Sequence, residues 1–299
     1  MDREGPRTLV LYGCGKAGLA LALALKGAGW EVAGCLSRTL DSTRRGAEWL
    51  ACPILPGLDR IPKGAVVLLG AAEGGLREAD RALAEADPFI RGRVVLHLSG
   101  ALPARVLESC RLRGASVGSF HPIMTLPDPL TGAKNLKSAT FALEGRPEAL
   151  AAMKAMVQAL SGRYFILSPR RKTLYHAAAV VAANHLVALI ADSQEMLRLA
   201  GADSATALPA FQSLMEGTVA GVFSSGPVAA ITGPVERGDE EVVKNHLQAL
   251  KRYPALRERY RLMALAVLDL VRRRHPEREE GLRSLEKTLG GWHSSGEGD

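Results

Sequence analysis

Cysteine is scarce in this chain of 299 residues. The four present, Cys14, Cys35, Cys52 and Cys110, form no C-x-x-C pair and no metal-ligand spacing, so reduced thiols and no metal site are expected. Aromatic residues make up only 5% of the chain, and no basic stripe interleaved with aromatics exists for nucleic acid to stack on. The net charge of +7 is spread among acids along stretches such as 77–85, 257–261 and 272–280, which reads as solvated faces and attraction of an anionic ligand. The N-terminus, Met-Asp-Arg-Glu-Gly-Pro, lacks the apolar core of a signal peptide. No apolar run reaches membrane-spanning length free of a charge or turn residue. These absences lead us to expect a cytoplasmic protein with no membrane or nucleic-acid partner.

What is present is concentrated near the start. Leu9, Val10 and Leu11 form a short apolar run suited to a buried parallel strand, and Leu19 to Lys26 reads as a helix rich in Ala and Leu. Between them Gly13, Gly15 and Gly18 have G-x-G-x-x-G spacing. In that setting Gly13 allows a tight turn, Gly15 lets a pyrophosphate approach the backbone, and Gly18 lets the helix pack on its strand. The phosphates of a dinucleotide would meet the free amides and positive end of the helix, so Gly13, Cys14, Gly15, Lys16, Ala17 and Gly18 are expected to form a cofactor loop. A second strand, 31–36, is followed by Ser37, Arg38 and Thr39. A carboxylate there would accept from the ribose of NAD; an arginine between two hydroxyls favours the extra phosphate of NADP(H).

Short apolar strands and helices go on alternating. A strand at 65–69 leads into the loop from Gly70 to Gly75, whose Ala71 and Ala72 should border the cofactor. A strand at 94–98 ends at Ser99 and Gly100, and 116–120 leads into His121 and Pro122. This alternation predicts an α/β fold, a doubly wound parallel sheet of the Rossmann type. Elements at 139–143, 147–160 and 164–167 complete a first domain over 1–168. Beyond a polar hinge the strand signals vanish, and 169–275 reads as an all-helical domain opened by one long apolar helix from Lys172 to Ala200. Residues 276–299 read as a charged, partly disordered tail.

Four phrases now bear on kinship: His97-Leu-Ser99-Gly100, Ser119-Phe-His121-Pro122, Tyr175-His176-Ala-Ala-Ala with Asn184 eight residues later, and Thr232-Gly233-Pro234 with Arg237-Gly238-Asp239. In these the chain resembles the Rossmann-like proteins that carry a C-terminal domain of unknown function, number 2520. They are relatives of ketopantoate reductases, pyrroline-carboxylate reductases and 3-hydroxyacid dehydrogenases. The resemblance covers roughly 8–270. It implies a helical domain like the C-terminal one of 6-phosphogluconate dehydrogenase, a homodimer formed through it, and an NADP-linked oxidoreductase. The implied reaction moves hydride between NADPH and the C=O or C=N of a small carboxylate, with ketopantoate the first substrate to name. The hydroxyacid dehydrogenases carry a proton-donating Lys four residues before the matching Asn; here Val180 stands at that position.

Lys172, His176, Val180 and Asn184 recur every four residues, which in a straight α-helix puts His176 and Asn184 on one face about 12 Å apart. Hydride transfer to a carbonyl needs a proton donor, and imidazole suits that role. His121 and His176 are the two candidates, with Asn184 as a further contact to substrate or nicotinamide. His97, inside an apolar strand, reads as a buried structural histidine. Ser99 and Gly100 could hold a substrate carboxylate or form a plain turn. Thr232 and Arg237 could bind the same carboxylate, or Arg237 could belong to a turn capped by Asp239. The other reading of the chain is a non-catalytic NADP(H)-binding sensor.

Overall fold

The computed structural model of the chain describes residues 7–290. It divides into two compact units, Met1–Asn184 and His185–Asp299, so the expected break after residue 168 falls inside the first unit.

In chain order the first unit runs β1 (Thr8–Tyr12), α1 (Lys16–Gly27), β2 (Glu31–Leu36), α2 (Leu40–Leu50), β3 (Val66–Leu69), α3 (Leu76–Ala86), β4 (Val94–His97), α4 (Glu108–Leu112), β5 (Ser116–Pro122), α5 (Pro129–Asn135), β6 (Thr140–Gly145), α6 (Pro147–Ala159), β7 (Arg163–Ile166) and α7 (Lys172–Val180). The seven strands form one sheet in the order β2-β1-β3-β4-β5-β6-β7. Neighbours from β2 through β5 are parallel, as expected of a doubly wound sheet. The parallel order breaks only at β6, which pairs antiparallel with β5 while β7 runs parallel to β6. The connection between β5 and β6 carries α5, which packs on α1, where a Cβ on Gly132 would come 2.9 Å from the Ala20 methyl.

Side-chain alternation along β1 assigns the two faces. Leu9 and Leu11 join one apolar cluster with Leu21, Leu25, Phe120 and Phe141, while Val10 joins another with Val67, Leu69, Val95 and Val117. Phe120 and Phe141, on adjacent strands, stack with centroids 4.8 Å apart.

A π turn, Val181–His185, follows α7. The second unit then holds α8 (Leu186–Leu199), α9 (Ser204–Ala207), α10 (Gln212–Ser225), α11 (Pro227–Ala230), α12 (Pro234–Arg237), α13 (Glu240–Ala249), α14 (Pro254–Arg274) and α15 (Glu279–Leu289). Its core joins Val235, Val243, Leu247, Leu265, Leu268 and Val271 to Leu282, Leu285 and Leu289. The last three correct the reading of 276–299 as a tail. Leucines at helical spacing make α15 an amphipathic core helix, while the rest of that expectation, 291–299, lies outside the described residues. Helices α8 and α10 bury none of their residues within the chain. The stretch Pro169–Leu199 is long and apolar enough to cross a membrane, with 0% of its apolar window buried, which corrects the reading that no run reaches that length.

Candidate functional site

The carboxyl ends of the parallel strands β1, β3, β4 and β5 share one edge of the sheet, where ligands of open α/β folds bind. At β1 the chain turns through Gly13, whose φ of +95° suits glycine. A Cβ on Gly15 would come 2.8 Å from the Gly70 carbonyl oxygen, and one on Gly18 would come 3.0 Å from Gly70 Cα and from Leu11. Gly15 and Gly18 are therefore both needed for close packing against the loop after β3. Helix α1 starts with Gly15 as N-cap, no side-chain cap and no acid in its first turn. The first-turn amides of Lys16, Ala17 and Gly18 have no intrahelical partner there. A cavity of about 320 Å³ lies against this loop, lined by Gly13, Cys14, Gly15, Ser37, Arg38, Thr39, Ala71 and Ala72, so the structure brings these expected cofactor residues together. The Cys14 amide donates to Ser37 Oγ at 2.8 Å, and Thr39 caps α2 through the Ser42 amide. Arg38 Nη1 lies 3.9 Å from Glu78 Oε2 with 80% of its side chain exposed, which leaves the guanidinium available to an anion. The open glycine turn, uncapped amides and basic residue fit the diphosphate and extra phosphate of NADP(H).

Further along the same edge lies a polar set that sequence reasoning only half found. His97, Ser119 and Glu144 stand in register on β4, β5 and β6. All three are buried. Lys172, at the start of α7 and only 1% exposed, donates to Ser119 Oγ at 2.5 Å, and its Nζ is 3.8 Å from Glu144 Oε2. Ser119 Oγ donates in turn to the Ser99 carbonyl at 3.1 Å, and Glu144 Oε1 accepts from the Ala104 amide at 2.9 Å. His97 Nδ1 accepts from the Ser99 amide at 3.2 Å, as expected of a buried structural histidine. Burial pushes Lys172 down to about 8, with Glu144 opposing the shift, so it keeps its proton at neutral pH.

One turn along α7, the Tyr175 hydroxyl lies 2.5 Å from His121 Nδ1, and the two rings meet edge to face. Burial first, and then the charges of Lys172 and His176, push His121 down to about 4. Burial pushes Tyr175 up to about 12. Both groups are neutral at pH 7. A neutral imidazole has one N–H and a phenol one O–H, and their mutual hydrogen bond uses only one of them. Whichever tautomer His121 adopts, one donor is left over. Gly100 packs against the other side of the ring, where a Cβ would come 2.7 Å from His121 Nε2 and clash with it.

The remaining expected residues fare differently. The Ser99 hydroxyl is held by Glu73 and by the amides of Ala101 and Leu102, as in a turn, and the Glu73 carboxylate is a poor neighbour for a substrate anion. His176 follows Tyr175 on α7 and is partly exposed. Asn184 lies in the π turn Val181–His185 that follows α7. In the second unit Thr232 is exposed, and Arg237 is paired with Asp239 at 2.8 Å. Asp239 makes no side-chain cap on α13, so of the alternatives weighed for this turn the capped one is not seen. Sequence reasoning missed Lys172, Tyr175, Ser119 and Glu144 as site residues. The usable signal was a lysine at the head of an apolar helix with a tyrosine three residues on, opposite two strands that each carry a polar residue.

Comparisons with known proteins agree with this architecture. Residues 6–122 match the model of a Rossmann-like domain, and residues 139–267 match that of a domain of unknown function, DUF2520. The chain is similar to a Thermotoga maritima protein at 24% identity and a TM-score of 0.72, covering 89% of this chain and 99% of that one. It is similar to a Bacteroides fragilis protein named as a candidate NADP oxidoreductase, at 24% identity and a TM-score of 0.69, covering 87% and 97%. The reductive aminase of Aspergillus terreus, solved with NADPH and ethyl levulinate, is 18% identical with a TM-score of 0.61, covering 94% and 98%. At these identities the likeness shows the fold. No curated protein matches the sequence.

Proposed function

We propose that the chain is an NADP(H)-dependent oxidoreductase acting on the C=O or C=N of a small carboxylate, with ketopantoate the first substrate to test. The observation that carries this reading is a dinucleotide-shaped glycine cradle and a neutral His121–Tyr175 donor pair on one edge of the same sheet. When bound, NADPH supplies the hydride. The protein's part is to hold the phosphates at Gly13 to Gly18, to meet the extra phosphate with Arg38, and to give a proton to the developing oxyanion or amide nitrogen. His121 and Tyr175 do this without ionising first. With Nδ1–H donating to the Tyr175 oxygen, the phenol gives its proton to the substrate, and the imidazole keeps its own N–H and stabilises the phenolate left behind until solvent reprotonates it. This arrangement removes the need for the dehydrogenase lysine that Val180 replaces. His176 and Asn184 are assigned to substrate contact, and the NADPH-bound reductive aminase of the same fold supports the cofactor. A second copy of the chain covers the apolar faces of α8 and α10, where Val187 and Phe223 are 67% and 87% exposed.

The test is NADPH consumption by the purified protein against a panel of 2-oxo acids and cyclic imino acids, ketopantoate included, with NADH in parallel. Turnover with NADPH preferred is the expected result. Tight NADPH binding with no turnover across the panel favours the sensor, and binding of neither cofactor overturns the proposal.

A further inference from the structure

Lysine is seldom buried without a reason, because taking an ammonium out of water costs several kcal/mol unless it is paired and hydrogen-bonded. Lys172 is only 1% exposed, and the reaction proposed above does not use it directly. Its two partners come from different strands, Ser119 from β5 and Glu144 from β6, and those two residues face each other in the antiparallel register. Ser119 is two residues from His121, so strand alternation puts both side chains on one face of β5. Tyr175 is three residues from Lys172, so it lies on the neighbouring turn of the same side of α7. One ammonium thus ties the strand that carries one half of the donor pair to the helix that carries the other.

We propose that Lys172 is a positioning residue for the His121–Tyr175 pair, fixing β5 and α7 against each other and setting a buried positive charge near the imidazole. The inference rests on the reductase reading for its purpose but not for its physics. The charged or titrating groups acting on His121 are Lys172 and His176 from α7 and Glu73 from the turn after β3. Around Lys172 itself stand Glu144 from β6, which Arg105 also faces, and His97 from β4. Lys172 is the cation common to His97 and His121, and it acts to lower both.

The experiment is a histidine NMR titration of the full-length protein without substrate, with the His121 signal assigned by its loss in His121→Gln. In Lys172→Met the His121 pKa should rise by about one unit, whereas Lys172→Arg should leave it near the native value. An unchanged pKa in a folded Lys172→Met protein overturns the proposal. If that variant does not fold, the native protein carries the test, because its His121 signal should show a second inflection near pH 8, where Lys172 loses its proton. No inflection there overturns the proposal equally. A His121 shift found in a protein that oxidises NADPH with no substrate on the panel would sink the reductase reading and leave this assignment standing.

Discussion

His121 Nδ1 and the Tyr175 hydroxyl lie 2.5 Å apart although 54 residues separate them in the chain. One comes from the end of a central strand and the other from the first turn of a helix that starts after the sheet is complete. Their meeting converts two groups that are poor acids at neutral pH into a unit with one proton always on offer.

Removing either half should therefore stop chemistry without emptying the cofactor site. Tyr175→Phe and His121→Gln are each expected to lower turnover by about 100-fold or more. NADPH affinity, read by fluorescence titration, should stay within about twofold of native. A loss of affinity matching the loss of turnover would assign both residues to cofactor binding instead.

The two buried histidines give stability a pH dependence of definite sign. His97 is pushed down to about 3 and His121 to about 4, mainly by burial, from the ordinary 6.5. Between pH 6.5 and about 4 the unfolded chain binds protons that the folded chain refuses, so stability falls as pH falls through that window. Urea midpoints measured from pH 7 to 4 should decline steadily, and His121→Gln should make the decline shallower. A flat profile would contradict the burial of both rings.

Arg38 and Glu78 are both largely exposed at the mouth of the cradle, and their 3.9 Å separation marks a weak pair. Arg38→Ala should raise the NADPH dissociation constant about tenfold and leave that for NADH unchanged. Glu78→Gln, which removes a competing carboxylate, should tighten NADPH. Equal losses for the two cofactors in Arg38→Ala would mean that the guanidinium does not read the extra phosphate.

Cys14 is the thiol expected to react first, because its interactions with Cys35 and Ser37 bring it down to about 7 against the opposing effect of burial. Iodoacetamide at pH 7.5 should modify Cys14 ahead of Cys35, Cys52 and Cys110, as read by peptide mass mapping. NADPH should protect it, because Cys14 lines the cradle. Protection by neither cofactor would place the ligand elsewhere.

Much of the cradle was legible because it is local. Strand, glycine turn and helix from Thr8 to Gly27 follow one another in sequence, and each element's periodicity or spacing declares it. The paired Lys172 and Glu144 were not legible, because a lysine heading a helix and a glutamate ending a strand are ordinary surface choices until register brings them together. Tyr175 was quoted only as part of a phrase, and its partner His121 was judged alone. The reversal of β6 is a matter of strand pairing across the sheet, which a run of local periodicities does not declare. The π turn at Val181–His185 leaves no composition signal, and α15 was misread because charge in a helix with three inward leucines resembles charge in a tail.

The row His97–Ser119–Glu144 also bears on how the first unit comes to be folded. Glu144 is buried against the Ala104 amide, Arg105 and the Lys172 ammonium, and that ammonium comes from the last helix of the unit. Tyr175 comes from the same helix. Docking of α7 therefore pairs the carboxylate and completes the donor pair in one event, and the donor pair is absent from any form of the unit in which α7 has not docked.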